Sequence, residues 1–184
     1  GAIGVGKDAL QSVNHANANN TIAIGYQAGK AITSGPANIA IGSSAGLAMT
    51  TNSSNTIIGY GAFRAADAGE DNNVVIGLDA GAAINHANSD DNVLIGINAG
   101  YGGANSIRQS VVIGSDAMKS TAANAVTGTI AIGYEALTSL TSGGGNLALG
   151  YQAGKAITTG TYNHFLGHEA GKVHTTGNRN IAIG

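Results

Sequence analysis

Three apolar residues closed by a glycine recur along this chain, each time set off by polar positions. The best-formed copy is Asn38-Ile39-Ala40-Ile41-Gly42, and it returns as Thr21-Ile22-Ala23-Ile24-Gly25, Asn55-Thr56-Ile57-Ile58-Gly59, Asn73-Val74-Val75-Ile76-Gly77 and Asn92-Val93-Leu94-Ile95-Gly96. Later copies close on Gly114, Gly133, Gly150, Gly167 and Gly184, and a looser first copy closes on Gly6. The closing glycines are 17, 18 or 19 residues apart. A short fixed period marks a repeat architecture, and it takes precedence over any local motif. The mostly β-branched triplets predict short strands. The glycine after each predicts a turn through positive φ.

The rest of the repeat follows the same frame. Three residues after the glycine stands alanine, from Ala9 and Ala28 through Ala153 and Ala170, which predicts a tight corner against the neighbouring coil. Seven residues after it a larger apolar side chain is frequent, as at Val13, Ile32, Met49, Ile84, Leu140 and Ile157, and these predict a second short strand. All length variation falls in the polar loop that follows, between Thr33–Ala37, Asp67–Asn72 and Asn85–Asp91. Loops absorb such changes because they lie on the surface. A helical reading fails, since glycine interrupts every candidate and no 3.6-residue period persists. The chain therefore reads as one all-β repeat domain over residues 1–184, a parallel β-solenoid of about ten coils of 17–19 residues. At the strand spacing of about 4.8 Å it forms a rod on the order of 50 Å long. Stacking would align Asn38, Asn55, Asn73 and Asn92, and again Asn146, Asn163 and Asn180, into hydrogen-bonded ladders.

Side chains alternate across a strand. If the first and third residues of each triplet fill the coil, the middle ones face out: Gly4, Ala23, Ala40, Ile57, Val75, Leu94, Val112, Ala131, Ala148, Phe165 and Ala182. None is polar, so this stripe would be an unusually large exposed patch on a monomer. The coils also enclose little core. Both points predict a homotrimer with its interface at those middle residues.

Composition narrows the classes. Apolar residues make up 43% of the chain, too many for disorder, and the 30 glycines do not recur at every third place, so collagen is excluded. A net charge of −2 with 10% charged residues provides no basic field for nucleic acid. Cysteine is absent, which removes disulfides and thiolate metal sites. No apolar run has the length of a membrane span, so this segment is not expected to insert in a membrane. Because it opens and closes within repeats, the chain is expected to be a fragment of a longer fibre protein.

Asn38-Ile39-Ala40-Ile41-Gly42-Ser43-Ser44-Ala45-Gly46 resembles the head repeats of trimeric autotransporter adhesins, and it is similar to repeats in phage tail fibres and related trimeric surface fibres. The resemblance extends over essentially the whole chain. It implies a left-handed parallel β-roll, three chains about one axis, an extracellular location on a cell surface or virion, and a role in attachment to a host-surface glycan or protein receptor.

Candidate chemistry is sparse. Gly42-Ser43-Ser44-Ala45-Gly46 matches a nucleophile elbow, but Gln27 holds the place of Ser44 in another copy and no helix follows. His164 and His168 have a zinc-like spacing only if helical, with His174 following; a ring of His from three chains is the other route to a metal. Glu70-Asp71 and Asp90-Asp91 end adjacent loops, where an oxygen-rich calcium site and a solvated acidic patch compete as readings. Thr33 and Thr50, and again Thr141, Thr158 and Thr175, could order water on an ice-binding face, although Asp67, Asn85, Ala104 and Ala122 interrupt that column. Tyr26, Tyr60, Tyr134 and Tyr151 directly follow repeat glycines and are candidate surface contacts for a glycan. No catalytic residue, cofactor or metal is expected. The leading expectation is a structural or adhesive fibre segment; the alternative is a monomeric solenoid binding ice or polysaccharide.

Overall fold

The computed structural model describes residues 1–13, 17–103, 106–120 and 125–184, and Ala104 and Ala122 lie outside them. Each triplet forms a strand: β1 (Ile3–Val5), β2 (Ile22–Ile24), β3 (Ile39–Ile41), β4 (Thr56–Ile58), β5 (Val74–Ile76) and β6 (Val93–Ile95) in the first half. In the second half come β7 (Ile107–Arg108), β8 (Val111–Ile113), β9 (Val126–Thr127), β10 (Ile130–Ile132), β11 (Leu147–Leu149), β12 (His164–Leu166) and β13 (Ile181–Ile183). The eleven triplet strands make one parallel sheet in chain order, while β7 and β9 pair separately. Register is held residue for residue: Ile39 pairs with Ile22 and Thr56, and Ala40 with Ala23 and Ile57. The fold is a parallel β-solenoid, and no helix occurs among the described residues.

The closing glycine is required on two grounds. Its φ lies near +130° at Gly25 and Gly42 (+135° and +130°), a region closed to most side chains. A Cβ on either would also stand 2.5 Å from the carbonyl oxygen of the closing glycine one coil on. Beyond it the chain turns through a left-handed residue two positions later, with φ between 52° and 59° at Asp8, Gln27, Ser44, Asp79, Asn98, Asp116, Glu135, Gln152 and Glu169. Asn and Asp tolerate this region best among non-glycine residues. These repeated turns bring the alanine corner inside: Ala28, Ala45, Ala62, Ala80, Ala99, Ala117, Ala136 and Ala153 are wholly buried, as expected of a site for a single methyl.

Two expectations are corrected. The larger apolar residues seven after the glycine do not start a second strand; Ile32, Met49, Ile84, Leu140 and Ile157 leave the turn in non-strand backbone and fill the core. Successive coils are still joined beside them by main-chain hydrogen bonds such as Thr33 N–H to Thr50 O (2.9 Å). The second correction concerns the triplet. Its middle residue points inward: Ala23, Ala40, Ile57, Val75, Leu94, Val112, Ala131, Ala148 and Phe165 are fully buried within their own chain, and Ala182 packs against the same core. None of them can be a trimer interface. The interior of so short a coil is too narrow for two aliphatic columns from one strand, so the single central column enters and the two flanking columns turn out.

That narrow interior is filled by compensation between positions. The residue four after the closing glycine is either large, as at Leu10, Phe63, Met118 and Leu137, or glycine. Gly4 in β1 shares its coil with Leu10, whereas Phe165 in β12 is accommodated by Gly154 and Gly171. A Cβ on Gly154 would stand 2.5 Å from the Phe165 ring, and one on Gly171 would overlap it. Interiors packed to crystal density require such matching.

The asparagine ladder forms as expected. Asn38 Oδ1 accepts the backbone N–H of Asn55 (3.0 Å) and its Nδ2–H (3.2 Å); Asn55 Oδ1 does the same for Asn73 and Asn73 Oδ1 for Asn92, while Asn92 Oδ1 accepts Ser110 N–H alone (3.1 Å). Each Nδ2 of these four also donates to a main-chain carbonyl, for example Asn73 to Ser89 O (2.9 Å) and Asn92 to Ile107 O in β7 (2.7 Å). The ladder passes through Ser110, whose Oγ accepts from Thr129 N–H (3.2 Å), and resumes from Asn146 to Asn180. Buried polar groups are stable only when satisfied in this way.

Candidate functional site

Outward alternation puts two aliphatic columns on the solvent side of the sheet. One runs through Ile24, Ile41, Ile58, Ile76, Ile95, Ile113, Ile132, Leu149 and Leu166, the other through Ile22, Ile39, Val74, Val93, Val111, Ile130 and Leu147, with Thr56 and His164 as its polar members. All of these are exposed or half-buried. Ile24 is 40% exposed and Leu149 45%, although each has column neighbours above and below. Tyr26, Tyr60, Leu78, Ile97, Tyr134 and Tyr151, one residue beyond the closing glycines, add a third exposed column beside them. The sheet side of the solenoid is thus broad, regular and apolar.

The tyrosines do not form one uniform binding surface. Tyr134 stacks on Tyr151 with ring centroids 5.5 Å apart, and Tyr151 on His168 at 5.1 Å. Both faces of Tyr151 are therefore covered by other rings, and a sugar cannot stack on it. Tyr26 and Tyr60 stand in the same column separated by Ser43, exposed at 48% and 61%. A shallow groove of about 500 Å³ lies elsewhere, between Thr127, Gly144, Gly145, Thr161 and Tyr162, and no ionisable group but the Tyr162 phenol lines it.

The other candidates are drawn into the fold. Thr33, Thr141 and Thr158 turn their hydroxyls to the carbonyls of Thr50, Thr158 and Thr175, at 3.1, 3.0 and 2.9 Å, so their hydrogens serve coil-to-coil bonding. Asp71 Oδ1 accepts Ser53 N–H (2.6 Å) and Asp90 Oδ1 accepts Asp71 N–H (3.0 Å), tying the acidic loops to the coil before. His164 projects from the sheet face, His168 stacks on Tyr151 and His174 packs its ring 5.8 Å from that of Phe165, so the three do not converge. No cluster of His, Asp and Glu able to hold a metal exists among the described residues. Ser44 occupies a left-handed turn, φ 58°, with neither a strand-to-helix junction nor a base beside it. No described helix is long and apolar enough to cross a membrane.

The sequence set Glu70 beside Asp71 in either a calcium site or a solvated acidic patch, and the solvated reading fails for Glu70. Glu70 is wholly buried; its Oε2 accepts Asn52 Nδ2–H at 2.6 Å, while its Oε1 has no hydrogen-bond partner. Burial pushes its carboxyl up to about 7, with Asp67 adding to the rise and the Asn52 bond opposing it. The available signal was positional: Glu70 stands three before the ladder residue Asn73, in the column of Asn52 and Ser89, which are also buried. Elsewhere on the surface Lys155 Nζ lies 2.7 Å from Glu135 and holds that carboxyl below its usual range.

Comparison of the chain with protein-family models, with curated proteins and with solved structures finds no match.

Proposed function

We propose that this chain is a structural or adhesive segment of an extracellular homotrimeric fibre, a phage tail fibre or a bacterial surface adhesin, which extends or presents a surface-binding region. The observation that carries this reading is the outward aliphatic face. Eleven strands at about 4.8 Å, each offering two side chains, give an apolar area on the order of 500 Å², at the upper end of what a monomer leaves open. The tyrosine column widens it. Apart from Thr56 and His164, the two strand columns stay aliphatic from coil to coil with no compensating partner inside the chain, as self-packing of like subunits requires. Three copies with their sheet faces around one axis would bury it, and a left-handed winding belongs to the same reading. The work is mechanical and needs no active-site residues, and the partner at the tip would be a host-surface glycan or protein.

The alternative, a monomeric solenoid that binds ice or polysaccharide, has less support, because the threonine hydroxyls donate to carbonyls and Tyr151 has no free ring face. Mass in solution, by sedimentation equilibrium or light scattering, separates the two. Three chains per particle is the expected result; a folded, soluble monomer at micromolar concentration overturns the trimer and favours the alternative.

A further inference from the structure

The groove beside Tyr162 belongs to neither the sheet face nor the ladder, and none of its lining residues comes from a triplet. Its origin is a gap in a column of side chains. The residue just before each ladder position is left-handed and exposed, as at Ala37, Ser54, Asn72, Asp91, Gln109 and Tyr162, with φ between 51° and 59°. Gly128 and Gly145 hold that place in the two coils between Gln109 and Tyr162. Three coil steps of about 4.8 Å therefore separate those two residues, about 14 Å in all. A Cβ on Gly128 would meet nothing within 4 Å. The Tyr162 ring leans into the gap over Gly145, where a Cβ would stand 2.6 Å from its Cδ1.

The neighbouring column leaves a donor open at the same point. Ser53 N–H and Asp71 N–H each donate to an aspartate one coil on, Asp71 (2.6 Å) and Asp90 (3.0 Å), and Thr161 N–H donates to Asn178 Oδ1 (2.8 Å). At Thr127 the residue one coil on is Gly144, which has no side chain to accept. A donor without a partner favours an oxygen supplied by a ligand. Tyr162 is 60% exposed and, unlike Tyr151, has no described ring stacked on it. No charged side chain lines the groove; Arg108 and Arg179 stand in the same two columns, one coil outside either end. Its volume of about 500 Å³ is that of a small-molecule cleft.

We infer that this groove is a carbohydrate subsite: one neutral pyranose ring of a glycan packs on Tyr162 above Gly128, and a sugar oxygen accepts the Thr127 N–H. An aromatic ring offers an apolar face to sugar C–H groups while its phenol stays in water. The uncharged lining suits a neutral sugar over an anionic one. The assignment rests on the adhesive reading for the source of the glycan, a host surface, and it locates that contact on the loops of a single chain.

The test is an amide-shift titration of the ¹⁵N-labelled 184-residue chain with the methyl glycosides of glucose, galactose and N-acetylglucosamine, each added separately. At least one should move the Thr127, Gly128, Gly145 and Tyr162 amides and saturate in the millimolar range. Its affinity should fall roughly tenfold or more in Tyr162→Ala and in Gly128→Asn. The second variant fills the gap and keeps the fold, because Asn72 occupies the same column at φ 58° and the added side chain enters open space. No response at those amides to any of the three sugars overturns the proposal, as does a response that survives both substitutions. Particle mass judges the fibre reading separately: a trimer without sugar shifts removes this subsite alone, and a monomer with them removes the trimer alone.

Discussion

The two sides of the same sheet obey different rules. Inside, the central strand column runs from Gly4 through Ala and Val to Phe165, and nearly every departure in size is answered nearby, by Leu10 opposite Gly4 or by Gly154 and Gly171 around Phe165. Outside, the flanking columns barely vary, remaining Ile, Val or Leu except at Thr56 and His164. The interior tolerates variety because constraint acts on the sum of neighbouring volumes. The exterior has no partner within the chain with which to trade volume, and its uniformity is the feature on which the proposed trimer rests.

The largest effect that would break this contrast is expected inside. Phe165→Ala should cost about 3–5 kcal/mol in chemical denaturation, the usual result of emptying a packed aromatic site. Adding Gly171→Leu should recover part of the loss, since Leu10 and Leu137 already occupy the equivalent position at φ 51° and 52°. No recovery would mean that the two columns do not share volume. Next in size is the ladder. Asn73→Ala strands the N–H and Nδ2–H of Asn92 and the carbonyl of Ser89, and should cost about 1–3 kcal/mol in the same assay. The smallest effect on the isolated chain belongs to the outer face: Ile95→Lys should shift its stability by no more than about 0.5 kcal/mol while abolishing association in sedimentation. A destabilisation comparable to Phe165→Ala would show that the outer column is held within the chain after all.

The repeat frame was legible because each of its features is local. Strand, closing glycine and alanine corner depend on backbone conformation within a few residues, and the ladder residues were identified by their spacing alone. The face assignment was not legible. Alternation establishes that Ile39 and Ile41 lie opposite Ala40, and either side could be the inner one. The supposition that the first and third residues of each triplet fill the coil chose the wrong side. The cue was present in the exchange of bulk between Gly4 and Leu10, and between Phe165 and its glycines, but it becomes readable only when the turns are known to bring those positions together. The candidate sites fared alike: the threonine, aspartate and histidine spacings were real, yet the hydroxyls and carboxylates are directed to main-chain groups of adjacent coils, the rings of His168 and His174 pack on other rings, and His164 stands apart on the sheet face.

The sequence by itself determined the period, the glycine-closed strand of each coil and the polar ladder, because these rest on conformational preferences and on identical residues recurring at a constant interval. Only the tertiary structure decided which strand face is core, where a second strand is absent, and that Glu70 is a buried acid. Those outcomes depend on the width of the coil interior, set by left-handed turns far from the strand in sequence, and on the desolvation that neighbouring coils impose on any group between them.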